Sequence, residues 1–149
     1  MIETKWILSL GPGLDDAYAI RHEVFTLEQS FPQELDHDGN DDSAVHLVVF
    51  SGGKPVGCGR ILKSPEGAIL GRIAVLKRER GTGLGDLIVR MLIRKSCELG
   101  METQLIHAQA YARGFYEKLG FEAFGEPDEV IGKPHLHMRH VGDVSGCRD

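Results

Sequence analysis

The chain has 149 residues, 42% of them hydrophobic and 26% charged, with a formal net charge of −5. That length suits a single domain spanning residues 1–149 with a proper core, and the proportions are those of an ordinary globular protein. Net acidity argues against nucleic acid as a partner, which requires a basic footprint, and no window approaches the roughly 18 apolar residues of a membrane span.

The N-terminal MIETKWILSL lacks a basic leader and a cleavage site. Cys58, Cys97 and Cys147 are far apart with no C-x-x-C, so they read as reduced thiols of a cytoplasmic protein. Lys5–Leu10 is a first strand, broken by Gly11-Pro12-Gly13. Asp15 and Asp16 can cap a helix whose apolar face holds Ala17, Ile20, Val24, Phe25 and Leu27. Residues 30–43 form a polar loop or short second helix, in which the acids of Glu34–Asp42 predict a negative lip able to attract a cationic amine. Val45–Phe50 and Pro55–Lys63 are strands joined by a hairpin at Ser51-Gly52-Gly53-Lys54. Ala68–Leu76 is a fourth strand, and a helix runs to about Leu99, where Gly100 stops it. Gln104–Ala108 is a fifth strand, Ala110–Leu119 a short helix ended by Gly120, and Phe121–Phe124 and Leu136–His140 are closing strands. The tail 142–149 reads as frayed.

The most informative segment is VLKRERGTGLG, residues 75–85, set directly before an amphipathic helix. Gly81, Gly83 and Gly85 let backbone N–H groups converge without Cβ interference. The helix N-terminus behind them adds partial positive charge, so the segment suits a diphosphate. Arg72, Lys77, Arg78 and Arg80 are the basic residues expected beside it. A P-loop needs Gly-Lys-Ser/Thr, yet Asp86 follows Gly85. A dinucleotide loop needs G-x-G-x-x-G and an acid about 20 residues on, whereas the spacing here is G-x-G-x-G and position 105 is Leu. A glycine-rich turn that only caps a helix stays open on these residues alone.

A second block narrows the choice. Arg80-x-x-Gly83-x-Gly85 resembles the pyrophosphate loop of the GNAT family of N-acetyltransferases, and ARGFYEKLGF at residues 112–121 resembles that family's A-x-x-F-Y-x-K-x-G-F at every fixed position. RHEVFTLEQ at 21–29 and PHLHM at 134–138 are similar to a small bacterial subgroup, so the resemblance spans about residues 5–140. It implies an α/β architecture, the GNAT fold, with a mixed, mostly antiparallel central sheet, helices on both faces, and fourth and fifth strands splayed apart. It also implies acetyl-CoA as cosubstrate. The backbone of Ile73, Ala74 and Val75 would meet the pantetheine arm, and Arg80, Gly81, Thr82, Gly83, Leu84, Gly85 and Asp86 the pyrophosphate. Gln109 and Tyr116 would sit at the thioester, with Ala112, Phe115 and Lys118 the remaining motif positions on the cofactor.

Acetyl transfer to an amine needs a neutral amine, a polarised thioester and a proton for the departing thiolate. Tyr116 is the candidate donor, because a phenol can protonate a thiolate. Glu28 is the candidate base and, with Gln29 and His135, faces the acceptor in the subgroup's pattern; His46 and His107 are further candidates, and a water relay needs none of them. His135 and His137 share one strand face with His140 nearby, but no further Cys, Asp or Glu ligand is evident, so no metal is expected. Asp36-x-Asp38-x-Asn40-x-Asp42 imitates a calcium loop, yet Asp41 stands where its glycine belongs and Leu47 where its glutamate belongs. The expected reaction moves acetyl to a primary amine of a small molecule or peptide by direct attack in a ternary complex. An acyl-CoA-binding or sensing module without turnover is the alternative. The expected partners are acetyl-CoA and the amine, with no nucleic acid and no membrane; homodimerisation through a sheet edge is compatible with the pattern.

Overall fold

The computed structural model describes residues 1–141; the predicted frayed tail and Cys147 lie outside the described residues. Seven strands form one sheet in the order β1-β2-β3-β4-β5-β7-β6. They are β1 (Ile2–Leu8), β2 (Ala44–Ser51), β3 (Lys54–Ser64), β4 (Gly67–Val75), β5 (Thr103–Gln109), β6 (Glu122–Val130) and β7 (Lys133–Val141). All neighbours pair antiparallel except β4 and β5. The helices are α1 (Leu14–Arg21), α2 (Gln33–Asp36), α3 (Leu84–Glu98) and α4 (Arg113–Lys118).

Alternation along β3 decides which helix covers which face. Gly57 and Gly59 point one way, where a Cβ would meet the Ile88 side chain at 2.8 Å and that of Leu92 at 2.7 Å. Two missing side chains thus let α3 lie close to the sheet through Ile88 and Leu92, both fully buried. Cys58 and Arg60 point the other way, toward α1, and Arg60 shares the Asp41 carboxylate with Arg21 of α1. Burial pushes the free Cys58 thiol up to about 12. Cys97 is disulfide-bonded, so the expectation of reduced thiols fails there.

Three differences from the sequence reading have physical causes. The α1 cap is Gly13, at φ +98°, with Asp15 and Asp16 inside the first turn, where they favour the helix dipole instead. The chain after α1 continues as a π-helical stretch, His22–Glu28. Its wider turn breaks the 3.6-residue period, and Leu27, expected on the apolar face, is exposed. The closing strands are longer than expected because β6 continues through the polar run Glu126–Glu129, where no apolar alternation announces a strand.

Candidate active site

The parallel pairing of β4 and β5 covers only Ala68–Leu70 against Gln104–Ile106. Past Leu70 and Ile106 the strands part, which gives the splay the sequence implied. The gap opens into a cavity of about 330 Å³, bounded by β4 at Ile69–Ile73, β5 at Ile106–Gln109, the chain after α1 at Phe25 and Gln29, and Tyr116 of α4. A bulge shapes the β4 wall. Arg60 pairs with Gly71 and Cys58 with Ala74, so Arg72 and Ile73 together oppose Gly59, and Arg72 adopts φ +52°.

Of the predicted residues, Ile73, Gln109, Ala112, Tyr116, Gln29 and His135 line this cavity. Tyr116 is buried, edge-on to Phe115 and Phe121. Burial, with a smaller contribution from Tyr111, pushes its phenol above the ordinary tyrosine range. It therefore stays protonated at every working pH, as a proton donor must. Gln29 and Gln109 tie the chain after α1 to the end of β5: Gln109 Nε2 donates to Gln29 Oε1 at 2.8 Å, and Gln29 Nε2 donates to the Tyr111 hydroxyl at 3.3 Å. His135 is buried in the cavity wall with Nδ1 2.8 Å from the Lys133 carbonyl, and Phe31 meets its ring edge-on.

The glycine loop lies outside the cavity, at the N-terminus of α3. Gly81 (φ +83°) and Gly83 (φ +87°) both take the left-handed conformation, and a Cβ at either would meet nothing within 4 Å. Their amides thus border open space, as a backbone cradle for an anion requires. Gly85 has another task, since a Cβ there would stand 3.3 Å from the Phe115 ring, so it seats α4 on α3. Leu84 is buried in the core, Asp86 pairs with Arg90, and Thr82 Oγ1 donates to the Glu79 carbonyl. Ala74 is core and pairs with Cys58, Val75 pairs with Gly57, and Lys118 is exposed on α4. The expected outcome of Gly83→Val is at least tenfold weaker CoA binding, about 1.4 kcal/mol. A valine cannot hold φ +87° without strain and would fill the space before the amides. Calorimetry with circular dichroism as a fold control checks it.

Three expectations meet partners from elsewhere in the chain. Glu28 does not line this cavity; it borders a neighbouring pocket with Gln29, Arg80, Gln109 and Tyr111. It grips Arg80 with two hydrogen bonds, at 2.6 and 2.7 Å, while Arg80 Nε donates to the Val75 carbonyl at 3.0 Å. The hydrogen bond from Arg80 holds the Glu28 carboxyl below its usual range. Arg72 is not beside the glycine loop; the bulge turns it toward the Leu35 and Asp36 carbonyls and the Asp38 carboxylate. The acidic lip is not a lip either, because Asp36 and Asp41 are buried in ion pairs with Arg21, Arg60 and Arg72, and Asp38 pairs with Arg60. Three arginines and three aspartates cancel, and the acids of the segment outside these pairs are the exposed Glu34 and Asp42. His46 is likewise structural: it is buried, bound to the Asp41 carbonyl at 3.0 Å, and its pKa is lowered by burial.

A splayed parallel strand pair and a glycine loop at a helix N-terminus are the features the sequence resemblance implies. Comparison with known proteins agrees. Residues 13–141 match the family model of the acetyltransferase (GNAT) domain. YjcF of Bacillus subtilis, described as an uncharacterized N-acetyltransferase, is 37% identical over 126 residues, covering 84% of this chain and 90% of that protein. The crystal structure of Escherichia coli ElaA superposes with a TM-score of 0.84 at 29% identity, covering 94% of this chain and 99% of that one. An Elizabethkingia anophelis GNAT acetyltransferase, solved with acetyl-CoA bound, shares the fold at a TM-score of 0.69 and 14% identity, over 94% of this chain and 97% of that one. The chain belongs to the GNAT acetyltransferase family, whose general reaction is acetyl transfer from acetyl-CoA. Among the described residues no helix is long and apolar enough to cross a membrane.

Proposed function

We propose that this protein is an acetyl-CoA-dependent N-acetyltransferase that acetylates a primary amine by direct attack in a ternary complex. The observation that carries the reading is the cavity where β4 and β5 part, with the Tyr116 ring in its wall. Acetyl-CoA supplies the activated acetyl group. Amides of Gly81–Asp86 hold its pyrophosphate, and the β4 edge that β5 leaves unpaired, Ile73–Val75, receives the pantetheine amides as it would an added strand, with the Val75 carbonyl shared with Arg80 Nε. Occupation by the diphosphate gives Arg80 a second anionic partner in competition with Glu28. Tyr116 donates its proton to the sulfur as the thioester bond breaks, while Gln29 and His135 border the acceptor.

The acceptor end supports an amine on an apolar or aromatic body, because Phe25, Phe31, Leu35, Val130 and Ile69 line it and the nearby charges are already paired. The test is release of CoA thiol from acetyl-CoA across a panel of amines, with aromatic and alkyl amines compared against polyamines of equal length. Turnover with the former at lower KM is the expected result. Tight acetyl-CoA binding with no turnover on any amine would leave an acyl-CoA-binding module instead.

A further inference from the structure

On the exposed end of the sheet, side chains from three successive ladder strands converge, one of them, His107, in the wall of the central cavity. His107 of β5 and His137 of β7 are register partners, and their rings stack at 4.6 Å with 14° between planes. Asp128 of β6 reaches both, with Oδ1 2.7 Å from His107 Nε2 and Oδ2 3.4 Å from His137 Nε2. All three candidate ligand atoms fall within 4.8 Å of one another. Around a tetrahedral zinc with bonds of about 2.0–2.2 Å, neighbouring ligand atoms stand about 3.3–3.5 Å apart. To meet at one ion the two stacked rings must tilt so that their in-plane nitrogen lone pairs converge.

The fold builds this cluster in a way the sequence alone does not display. The β6–β7 ladder is interrupted between Phe124 and Asp128, and Gly125 takes φ +67°. The bulge re-aims Asp128 so that, although its register partner is His135, its carboxylate meets the two neighbouring imidazoles. The third ligand whose lack argued against a metal is thus supplied from nine residues upstream of His137. A role in stability alone is a weak explanation, since these side chains are 38–45% exposed and exposed ion pairs contribute little. Two imidazoles and one carboxylate instead suit a first-row transition ion, with hard alkaline-earth ions disfavoured by the nitrogen donors.

We propose that His107, Asp128 and His137 bind one divalent transition-metal ion of the zinc class, with at least one coordination position left for water or an exogenous ligand. His107 also lines the central cavity, so the ion stands at its acceptor-side rim. The inference rests on the donor set and is independent of the acetyl-transfer reading.

The experiment uses the whole chain free of any oligohistidine tag. Co²⁺ titration followed by visible absorption, and Zn²⁺ titration by calorimetry, are expected to give one equivalent bound, with Zn²⁺ displacing the Co²⁺ signal. His137→Ala and Asp128→Asn, each at an exposed position, are expected to weaken binding at least tenfold while leaving the circular dichroism spectrum unchanged. Excess Zn²⁺ should raise the melting temperature of the parent chain and not of the variants. Absence of stoichiometric Zn²⁺ and Co²⁺ binding, or equal affinity in the parent and both variants, would overturn the assignment.

Discussion

Tyr116→Phe is expected to lower kcat by about 10²–10⁴ while leaving acetyl-CoA affinity nearly unchanged. The substitution keeps the ring that packs 5.0 Å from Phe115 and 5.7 Å from Phe121, so the hydrophobic contacts of α4 survive. It removes only the hydroxyl. Burial raises the pKa of this phenol, so it stays protonated and available as a donor, while being a weaker acid than a free tyrosine. The loss should therefore fall on kcat and kcat/KM alike, as for an interaction made only in the transition state. The variant should also show no new pH limb between 6 and 9, because the deleted group does not titrate there. A kcat within about twofold of the parent, with chemistry rate-limiting, would reduce Tyr116 to a packing residue.

The second large effect is on stability. Asp41→Ala is expected to cost about 3–5 kcal/mol, measured by urea unfolding, because it strips the shared carboxylate from two buried guanidiniums. Arg21 Nη1 and Arg60 Nη1 each stand 3.0 Å from Asp41 Oδ1, and Arg21 is 1% exposed. A domain is held together by about 5–15 kcal/mol, so the loss is a large fraction of the total. Asp41→Asn should cost less, since the amide oxygen still accepts from one arginine. Salt should change the penalty little, because buried pairs are poorly screened. The pH dependence follows from the same contacts. Burial alone would raise the Asp41 pKa, but the hydrogen bonds and charge of Arg21 and Arg60 outweigh it, and Arg60 does the same for Asp38. With folded values below the unfolded one, the stabilisation is complete above about pH 4–5, constant through neutrality, and lost as pH falls through the depressed values.

What was readable in the chain was what is local. The glycine loop, the helix behind it and the ARGFYEKLGF segment each carry their signal within about a dozen residues, and each lies where the residues put it. The sign of the Glu34–Asp42 segment was legible but not its meaning. The arginines that neutralise it come from α1, β3 and β4, and nothing in the spacing of Arg21, Arg60 and Arg72 reveals that they meet. The same holds for the Glu28 ion pair, since its partner Arg80 is 52 residues away. The bulge at Arg72 and the one before Asp128 were invisible because a bulge is a property of two strands in register, and a single strand carries no trace of it.

The last strand has a consequence for how the molecule behaves among copies of itself. Among the described residues β6 ends the sheet, and one side of its backbone has no ladder partner there. Such an edge is a template for fibril growth unless something spoils it. Here Glu122, Glu126, Asp128 and Glu129 line an exposed strand that also carries Pro127 and the kink at Gly125. An incoming β6 from another molecule would meet four like charges, a residue without an N–H and a twisted backbone. The polar run that hid this strand from periodicity also protects it from stacking into amyloid.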